Sequence, residues 1–465
     1  MDRLGSIDAT FYQLESPTTP MHVGSVSIME GPAPALAELT VLLAAKLPRV
    51  RRYRQRVRTT PLGLGRPVWV DDRDFRIDHH IRHVVVDEPG RDEQLRDLIA
   101  RIVGQPLDMA RPLWEVWQVD GLEDDRWAIV AKVHHCMVDG IAGTNLLQLI
   151  FDREPEATPA EPEPWTPAAE PSSVSVIAHS VRDSVGEVGR YTVQQLGALR
   201  DVTSPAEWAR RTGAVAVSLL DLARQATAPT ARSLNGPLGR RRRWAWTSTE
   251  LATVRRVGRQ LGGSPNDVVL AALTAGLRDL LAARGRLADR LVVRTLVPIS
   301  LRRSSERGQV GNRIATVLVD LPVGDPDSVA RLAAVKRQMD DHKRLVHAVD
   351  ARAMLSAGDL VTPALLALGV RVSRSAQPVA QAVATNVPGP PRPLYAAGRR
   401  MISLYAHVPI TNGCRLAVGI VSYAGHLTFG INADRDGVPD VDVLVTGIRR
   451  GLEELAGRSG ATCDR

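Results

Sequence analysis

The sequence predicts a mixed α/β protein (α+β) of two lobes joined by a helical crossover. Apolar runs typical of strands, "RWAIVAKV" and "LVVRTLVPI", occur one in each half of the chain, and "DEQLRDLIARIVG" has the spacing of an amphipathic helix. One abrupt change of composition lies between the halves, at residues 154–173, which are rich in Pro, Glu and Ala. A chain of 465 residues also exceeds the usual size of a single core.

The domain boundaries follow from this change of composition. We predict an N-terminal lobe at residues 1–153, a Pro-rich linker with crossover helices at 154–239, and a C-terminal lobe at 240–465. The alternative for residues 154–173 is a long surface loop within one domain. Beyond it, apolar residues recur at helical spacing as far as Leu222, which indicates packing between the lobes or, less commonly, contact with a membrane surface.

The C-terminal lobe opens with a strand followed by two helices. In "WAWTSTELATVRRVGRQLGGSPNDVVLAALTAGL" an alternating segment precedes a Ser/Thr-Glu helix start and a Gly-Gly stop. A second apolar helix then begins near Pro265.

Composition and charge limit the partners and the compartment. The net charge of +8 comes mainly from arginine, which suits phosphates or anionic lipid, whereas 4% aromatic residues argue against a stacking platform for nucleic acid. Three widely spaced cysteines favour a reducing compartment. The N-terminus has no apolar signal segment, and no run reaches the roughly 20 apolar residues of a membrane-spanning helix. We therefore expect a cytoplasmic protein that is not secreted, has no transmembrane helix and binds no nucleic acid.

The adjacent histidines His134 and His135 are the first candidate site. They end an apolar strand and precede a glycine-containing turn in "WAIVAKVHHCMVDGIAGT". Successive side chains of an extended backbone point to opposite faces, so the two rings do not readily share a metal ion. This geometry favours one reactive ring and one supporting ring, and the alternative is two structural histidines at a strand end.

A second histidine group, in "IDHHIRHVVV", carries a possible metal pair. His79 and His83 would share one face of a helix and could hold zinc. The surrounding residues alternate, however, and favour a solvated strand. We predict no metal site.

Several motifs give the chain a family resemblance. HHCMVDG resembles the HHxxxDG signature of the coenzyme A dependent acyltransferase superfamily, and the chain is most similar to its bacterial wax ester synthase/diacylglycerol acyltransferases. "PLW" at residues 112–114, "ND" at 266–267 and "LGSIDATFYQLE" at the N-terminus resemble further motifs of that family, as do "GNRIATVLVDLP", "TNVPGPPRPLYAAG" and "SYAGHLTFGINAD". Gly5 stands where many members have serine. The resemblance implies two lobes like those of chloramphenicol acetyltransferase, with a channel between them.

The resemblance also implies catalytic roles. His135 would be the general base, since imidazole, with a pKa of about 6.5, suits proton transfer at neutral pH. His134 would support it, and Gly140 would form the turn of the loop. From its own place in the turn, four residues after His135, the Asp139 carboxylate would orient this loop by pairing with an arginine of residues 49–58, with Arg54 or Arg56 favoured.

The PLW and ND motifs supply the remaining candidates. Asn266 would donate to the oxyanion of the tetrahedral intermediate, or would instead cap the helix that follows Pro265. Asp267 would be structural. Pro112, Leu113 and Trp114 are candidates for substrate binding, although packing beneath the active-site loop is the alternative for Trp114.

The implied reaction moves a long-chain acyl group from acyl-CoA to diacylglycerol or to a long-chain alcohol, at a membrane or lipid-droplet surface to which the protein binds peripherally. Acyl-CoA is a substrate, and no metal or redox cofactor is implied. Three alternatives stay open: a carrier-protein-bound acyl donor, a non-catalytic lipid-surface protein, and a covalent acyl group on Cys136. The run Arg240–Arg243 suits coenzyme A phosphates, anionic lipid or solvent alone.

Overall fold

Two six-stranded sheets carry the fold. The computed structural model describes residues 2–60, 65–138, 147–156, 165–176, 230–300, 314–348, 380–411 and 413–460. The predicted crossover helices, from residue 177 to 222, lie outside these ranges. The mixed α/β fold class with two lobes is confirmed by these sheets and the helices that cover them.

The strands of the described residues are numbered in chain order. They are β1 (Asp2–Arg3), β2 (His22–Glu30), β3 (Gln55–Arg58), β4 (Val68–Asp71), β5 (Ile81–Val85), β6 (Trp114–Leu122), β7 (Arg126–His134), β8 (Arg242–Glu250), β9 (Val293–Ser300), β10 (Ile314–Leu321), β11 (Ala382–Val387), β12 (Tyr395–Ala396), β13 (Arg399–His407), β14 (Leu416–Tyr423) and β15 (His426–Asp434).

The α-helices of the same ranges complete the two lobes. They are α1 (Ser6–Leu14), α2 (Leu36–Lys46), α3 (Asp92–Gly104), α4 (Leu251–Leu261), α5 (Pro265–Ala283), α6 (Ser328–Ala348) and α7 (Val441–Arg458). The N-terminal sheet has the order β12-β13-β2-β7-β6-β5, and the C-terminal sheet has the order β10-β9-β11-β14-β15-β8. A small sheet, β1-β4-β3, lies beside the N-terminal one.

Local sequence patterns predicted several elements well. The helix expected in "DEQLRDLIARIVG" is α3, and the two apolar runs are β7 and β9, so these predictions are confirmed. The Gly-Gly stop is also confirmed, because Gly262 ends α4 with a left-handed φ of 75°. The helix start is confirmed in position, because α4 begins at Leu251 with Glu250 as its N-cap. The Ser/Thr-Glu cap itself does not form: no side-chain hydrogen bond caps α4, and β8 pairs with β15 as far as Glu250 opposite His426.

One strand connects the two lobes through hydrogen bonds. β13 comes from the C-terminal part of the chain but pairs with β2 of the N-terminal sheet, from Met401 opposite Met29 to His407 opposite Gly24. β13 also lies close to β15 of the C-terminal sheet. A Cβ atom added to Gly430 of β15 would lie 2.2 Å from the carbonyl oxygen of Ala406 in β13. The two lobes therefore exchange a strand: β13 follows residue 240 in the chain but belongs to the N-terminal sheet. The domain boundary at residue 240 stays a prediction.

Ion pairs link the lobes at their surface. Arg96 of α3 contacts Asp442 of α7 at 3.2 Å, and Arg243 of β8 reaches the same carboxylate at 3.2 Å. Such exposed pairs contribute about 0–1 kcal/mol each. Trp244 of β8 and Tyr405 of β13 are buried in one apolar cluster with residues of α3 and β2, and this cluster contributes more to holding the lobes together than the exposed charges do.

The described part of the Pro-rich segment packs on the N-terminal lobe. The Trp165 ring lies 4.6 Å from the Arg54 guanidinium, and the Ala168 amide donates to Asp71 at 3.0 Å. Val176 is buried with Val68 and Val70 of β4. Residues 165–176 thus behave as a surface loop of this lobe. In the described ranges, no helix is long and apolar enough to cross a membrane.

The contact between β13 and β15 gives a stability prediction. Gly430→Ala should lower the free energy of unfolding by about 1–3 kcal/mol, because the new methyl group must displace the Ala406 carbonyl. Urea unfolding measures this loss. Gly457→Ala in α7 is the matched control, since no atom lies within 4 Å of its added Cβ, and it should leave stability unchanged or raise it. Equal stability of Gly430→Ala and the native chain would contradict the close contact.

Candidate active site

The histidine pair lies where β7 ends. His134 is the last residue of the strand, and His135–Met137 form a 3-10 turn. The His134 amide donates to the Leu113 carbonyl at 2.9 Å, and the His135 amide donates to the Met21 carbonyl at 2.8 Å. Two neighbouring segments therefore hold the backbone of both histidines from opposite sides.

The His134 ring is buried and oriented by its partners. Its Nδ1 accepts the Cys136 amide at 3.1 Å, so the ring proton is on Nε2. Nε2 lies 3.4 Å from Glu15 Oε2, which also accepts the Met21 amide at 2.5 Å. These contacts suit a supporting ring, since they leave His134 with only 1% of its surface exposed.

The His135 ring has a different environment. It stacks on Phe11 of α1, with ring centroids 3.8 Å apart. Burial lowers the pKa of His135 to about 4; its own backbone opposes this shift, whereas the neighbouring His134 adds to it. The imidazole is therefore neutral at pH 7, which is the form that accepts a proton.

The loop residues Asp139 and Gly140 lie outside the described residues, and their roles stay predictions. Of the two arginines favoured as partners of Asp139, Arg56 contacts Glu170 at 3.0 Å. Arg54 is buried with its guanidinium over Trp165.

The PLW residues form the buried support of the histidine strand. Leu113 and Trp114 are fully buried and the adjacent Pro112 is buried. The Trp114 indole donates to the Tyr53 carbonyl at 2.8 Å. The Leu113 carbonyl is the acceptor for His134. The PLW residues thus support the histidine strand through packing and one backbone hydrogen bond. Their direct contact with substrate stays a prediction.

The second histidine group has local partners. His80 stacks on Trp114 with ring centroids 4.5 Å apart, and His83 of β5 contacts Asp120 at 2.7 Å. The strand predicted in this segment is confirmed from residue 81 onwards, where β5 begins, whereas His79 belongs to a 3-10 turn. No group of three or more His, Cys, Asp or Glu among the residues that the structure describes is arranged to hold a metal ion.

Cys136 is enclosed by the core. Only 3% of its surface is exposed, and burial raises the pKa of its thiol far above the usual range, with Asp8 adding to the shift. A protonated thiol is a poor nucleophile. The covalent alternative is therefore disfavoured by this environment.

The ND motif lies at the start of α5. Ser264 caps this helix: its hydroxyl accepts the Asp267 amide at 3.3 Å, while Asp267 Oδ2 accepts the Ser264 amide at 2.7 Å. The alternative in which Asn266 caps the helix is wrong, because Pro265 is the first helical residue and places Asn266 second. The Asn266 side chain instead accepts a hydrogen bond from Asn386 at 3.0 Å.

The basic run at residues 240–243 is largely engaged within the protein. Arg242 is buried and donates to the Thr18 carbonyl at 2.6 Å, Arg241 contacts Asp436 at 2.9 Å, and Arg243 contacts Asp442. Arg240 is exposed. A phosphate or anionic lipid would therefore compete with internal partners for three of these four side chains.

Two residues next to the histidine pair were not predicted from the sequence. Lys132, two residues before His134, is fully buried and contacts Glu115 at 2.9 Å and the Ile102 and Gln105 carbonyls at 3.2 Å. His22 lies opposite His134 in the β2–β7 ladder and stacks on His407, with ring centroids 5.3 Å apart. A charged residue inside an apolar run could have indicated Lys132, whereas His22 and His407 come together only through the register of β2 and β13.

Comparison with known families covers most of the chain. The wax ester synthase/diacylglycerol acyltransferase catalytic domain matches residues 4–269, and the C-terminal domain of the same family matches residues 310–456.

Relatives in Mycobacterium tuberculosis match over nearly the whole chain. The probable diacylglycerol O-acyltransferase tgs1 is 35% identical over 458 residues, which are 98% of this chain and 96% of the relative. The probable diacylglycerol O-acyltransferase tgs2 is 30% identical over 469 residues, or 98% of this chain and 99% of the relative.

Solved structures share the fold. The wax ester synthase/diacylglycerol acyltransferase from Marinobacter aquaeolei VT8 superposes with a TM-score of 0.71 at 24% identity, covering 99% of this chain and 100% of that one. The first condensation domain of the CDA synthetase has a TM-score of 0.58 at 17% identity, covering 100% and 98%. At sequence identities below 25%, these two similarities show a shared fold only.

The environment of His135 gives a titration prediction. We expect its imidazole to stay neutral down to about pH 5 and to take up a proton near pH 4, because burial disfavours the cation. An unfolded chain would bind that proton near pH 6.5. The folded state therefore loses stability as the pH falls below about 6.5.

NMR titration of the histidine ring signals measures this pKa, and His135→Gln assigns the signal by its disappearance. Titration of that signal at pH 6 or above would contradict a ring that is neutral at pH 7 because of its surroundings.

Proposed function

Because the chain belongs to the wax ester synthase/diacylglycerol acyltransferase family, and is thus an acyltransferase, we propose that it transfers a long-chain acyl group from acyl-CoA directly to a hydroxyl group. The acceptor is diacylglycerol, giving triacylglycerol, or a long-chain alcohol, giving a wax ester. The observation that carries this proposal is the neutral His135 ring at the end of a strand held on both sides.

His135 is the general base of the proposed reaction. Nδ1 of the ring is buried, and in this proposal Nε2 takes the proton of the acceptor hydroxyl. The hydroxyl oxygen then attacks the thioester carbonyl, forming the C–O bond and a tetrahedral oxyanion. When the C–S bond breaks, the proton on His135 passes to the coenzyme A thiolate, and the base is regenerated.

The low pKa of His135 has a cost and a benefit for this step. A base with a pKa of about 4 has less driving force for taking a proton than one near 7. At neutral pH, however, essentially every molecule carries the ring in its basic form. Proton transfer to a positioned base is worth about 10² to 10⁴ in rate.

Asn266 donates to the oxyanion in this proposal. An amide N–H is a suitable donor for such a charge, and removing one donor of this kind typically lowers kcat by about 10² to 10³. The capping of α5 by Ser264 supports this role, because it frees the Asn266 side chain from helix capping.

The transfer proceeds without an acyl-enzyme. The buried, protonated state of the Cys136 thiol supports direct transfer. The reaction then needs acyl-CoA as a substrate and no metal or redox cofactor.

The acceptors suggest where the protein works. Diacylglycerol and long-chain alcohols partition into lipid, so we propose peripheral association with a membrane or lipid-droplet surface. The names of the mycobacterial relatives favour diacylglycerol as the acceptor. A carrier-bound acyl donor and a non-catalytic lipid-binding role are the alternatives, and the former has only a shared fold in its favour.

Replacement of the base gives the first functional test. With palmitoyl-CoA and either dioleoylglycerol or hexadecanol, His135→Ala should lower ester formation and coenzyme A release by about 10² or more, since the general base is lost. Lipid product and free thiol are measured together, so that thioester hydrolysis is distinguished from transfer.

Cys136→Ala is the matched control and should retain activity within a few-fold of the native chain, because its thiol takes no part in direct transfer. Unchanged activity of His135→Ala, with loss in Cys136→Ala, would replace the base mechanism by a covalent one. The absence of ester with both acceptors would contradict the proposed donor and acceptor pair.

A further inference from the structure

A hydrogen bond joins two asparagines that are 120 residues apart in the chain. Asn386 Nδ2 donates to Asn266 Oδ1 at 3.0 Å, and thereby connects the end of β11 with the start of α5. Both side chains are half-buried. An amide that gives its oxygen to one partner keeps its N–H groups for another.

The backbone on the Asn386 side is fixed by its neighbours. β11 runs parallel to β14, with Asn386 opposite Ile420. Just beyond the strand, the Gly389 amide donates to the Ser422 hydroxyl at 3.1 Å, and a Cβ on Gly389 would lie 2.1 Å from the Ser422 carbonyl oxygen. The end of β11 is therefore held against β14, and Asn386 projects from a rigid support.

The backbone on the Asn266 side is fixed as well. Its place at the second position of α5 is set by Pro265 and by the reciprocal hydrogen bonds of Ser264 and Asp267. The remaining freedom is rotation of the side chain. The Asn266 amide has two possible orientations. In one its N–H groups face away from Asn386, and in the other its oxygen does.

We propose that Asn386 is a positioning residue that makes Asn266 a hydrogen-bond donor to the reacting group. This inference rests on the proposed function, in which an oxyanion forms on the acyl carbonyl. Because Asn386 donates to the Asn266 oxygen, the Asn266 N–H groups are the part of the amide left for the substrate. In the reversed orientation an oxygen would face the oxyanion and repel it.

Asn386→Asp tests the orientation with almost no change of shape. The new carboxylate has no hydrogen to donate at neutral pH, and it attracts the N–H groups of Asn266, so the amide reverses. We expect kcat to fall by about 10² while KM for palmitoyl-CoA and the melting temperature stay near native values, because the lost interaction forms with the oxyanion.

A double-mutant cycle separates this role from a general structural one. Asn266→Ala should lower kcat by about 10² to 10³, and the double variant Asn266→Ala with Asn386→Asp should be no slower than Asn266→Ala alone. Val387→Thr is the matched control: the neighbouring side chain is 55% exposed, and its replacement should leave kcat unchanged. If Asn386→Asp fails to fold, Asn386→Leu enters the same cycle.

Each outcome decides between distinct claims. Native kcat in Asn386→Asp, or losses that multiply in the double variant, would overturn the positioning role while the base mechanism stands. Native kcat in Asn266→Ala would overturn both the oxyanion assignment and this inference. The general base is tested separately by His135→Ala, whose failure would overturn the proposed function itself.

Discussion

Two backbone hydrogen bonds determine where the reactive side chains lie. The amides of His134 and His135 donate in different directions, one to Leu113 before β6 and the other to Met21 before β2. Lys132, two residues upstream, anchors the same strand to Glu115 and to the end of α3. The position of the site is thus set by main-chain geometry, which tolerates substitution of surrounding side chains. Groups held in this way need little rearrangement as charge develops during a reaction.

Burial determines the charge of the same region. His22 and His407 are fully buried beside Lys132 and Arg242, and their pKa values are lowered first by burial and then by these cations and neighbouring histidines. The pKa of His135 is also lowered mainly by burial. His22, His135 and His407 are therefore neutral at physiological pH, while the Lys132 ammonium is paired with the Glu115 carboxylate at 2.9 Å.

Periodic elements and sequence motifs could be predicted from the sequence, whereas contacts between distant segments could not. α3, β7 and β9 follow from apolar spacing within a single window, and the HHxxxDG motif indicated the histidine pair directly. The pairing of β13 with β2 joins residues about 370 to 380 positions apart, and no local pattern encodes its register. The same reason explains the missed Glu15–His134 and Asn266–Asn386 contacts. Arginines 241–243 were hard to interpret because their carboxylate and carbonyl partners come from other elements.

The placement of β13 also constrains how the chain can fold during synthesis. β2 is near the N-terminus, yet the strand that covers its free edge leaves the ribosome only after about nine-tenths of the chain has been made. Until then the N-terminal sheet exposes unpaired backbone groups next to its histidine strand, and such an edge is prone to pairing with other chains. Co-translational chaperone binding would be most useful over this interval. For the same reason, the two lobes would be poor candidates for separate expression.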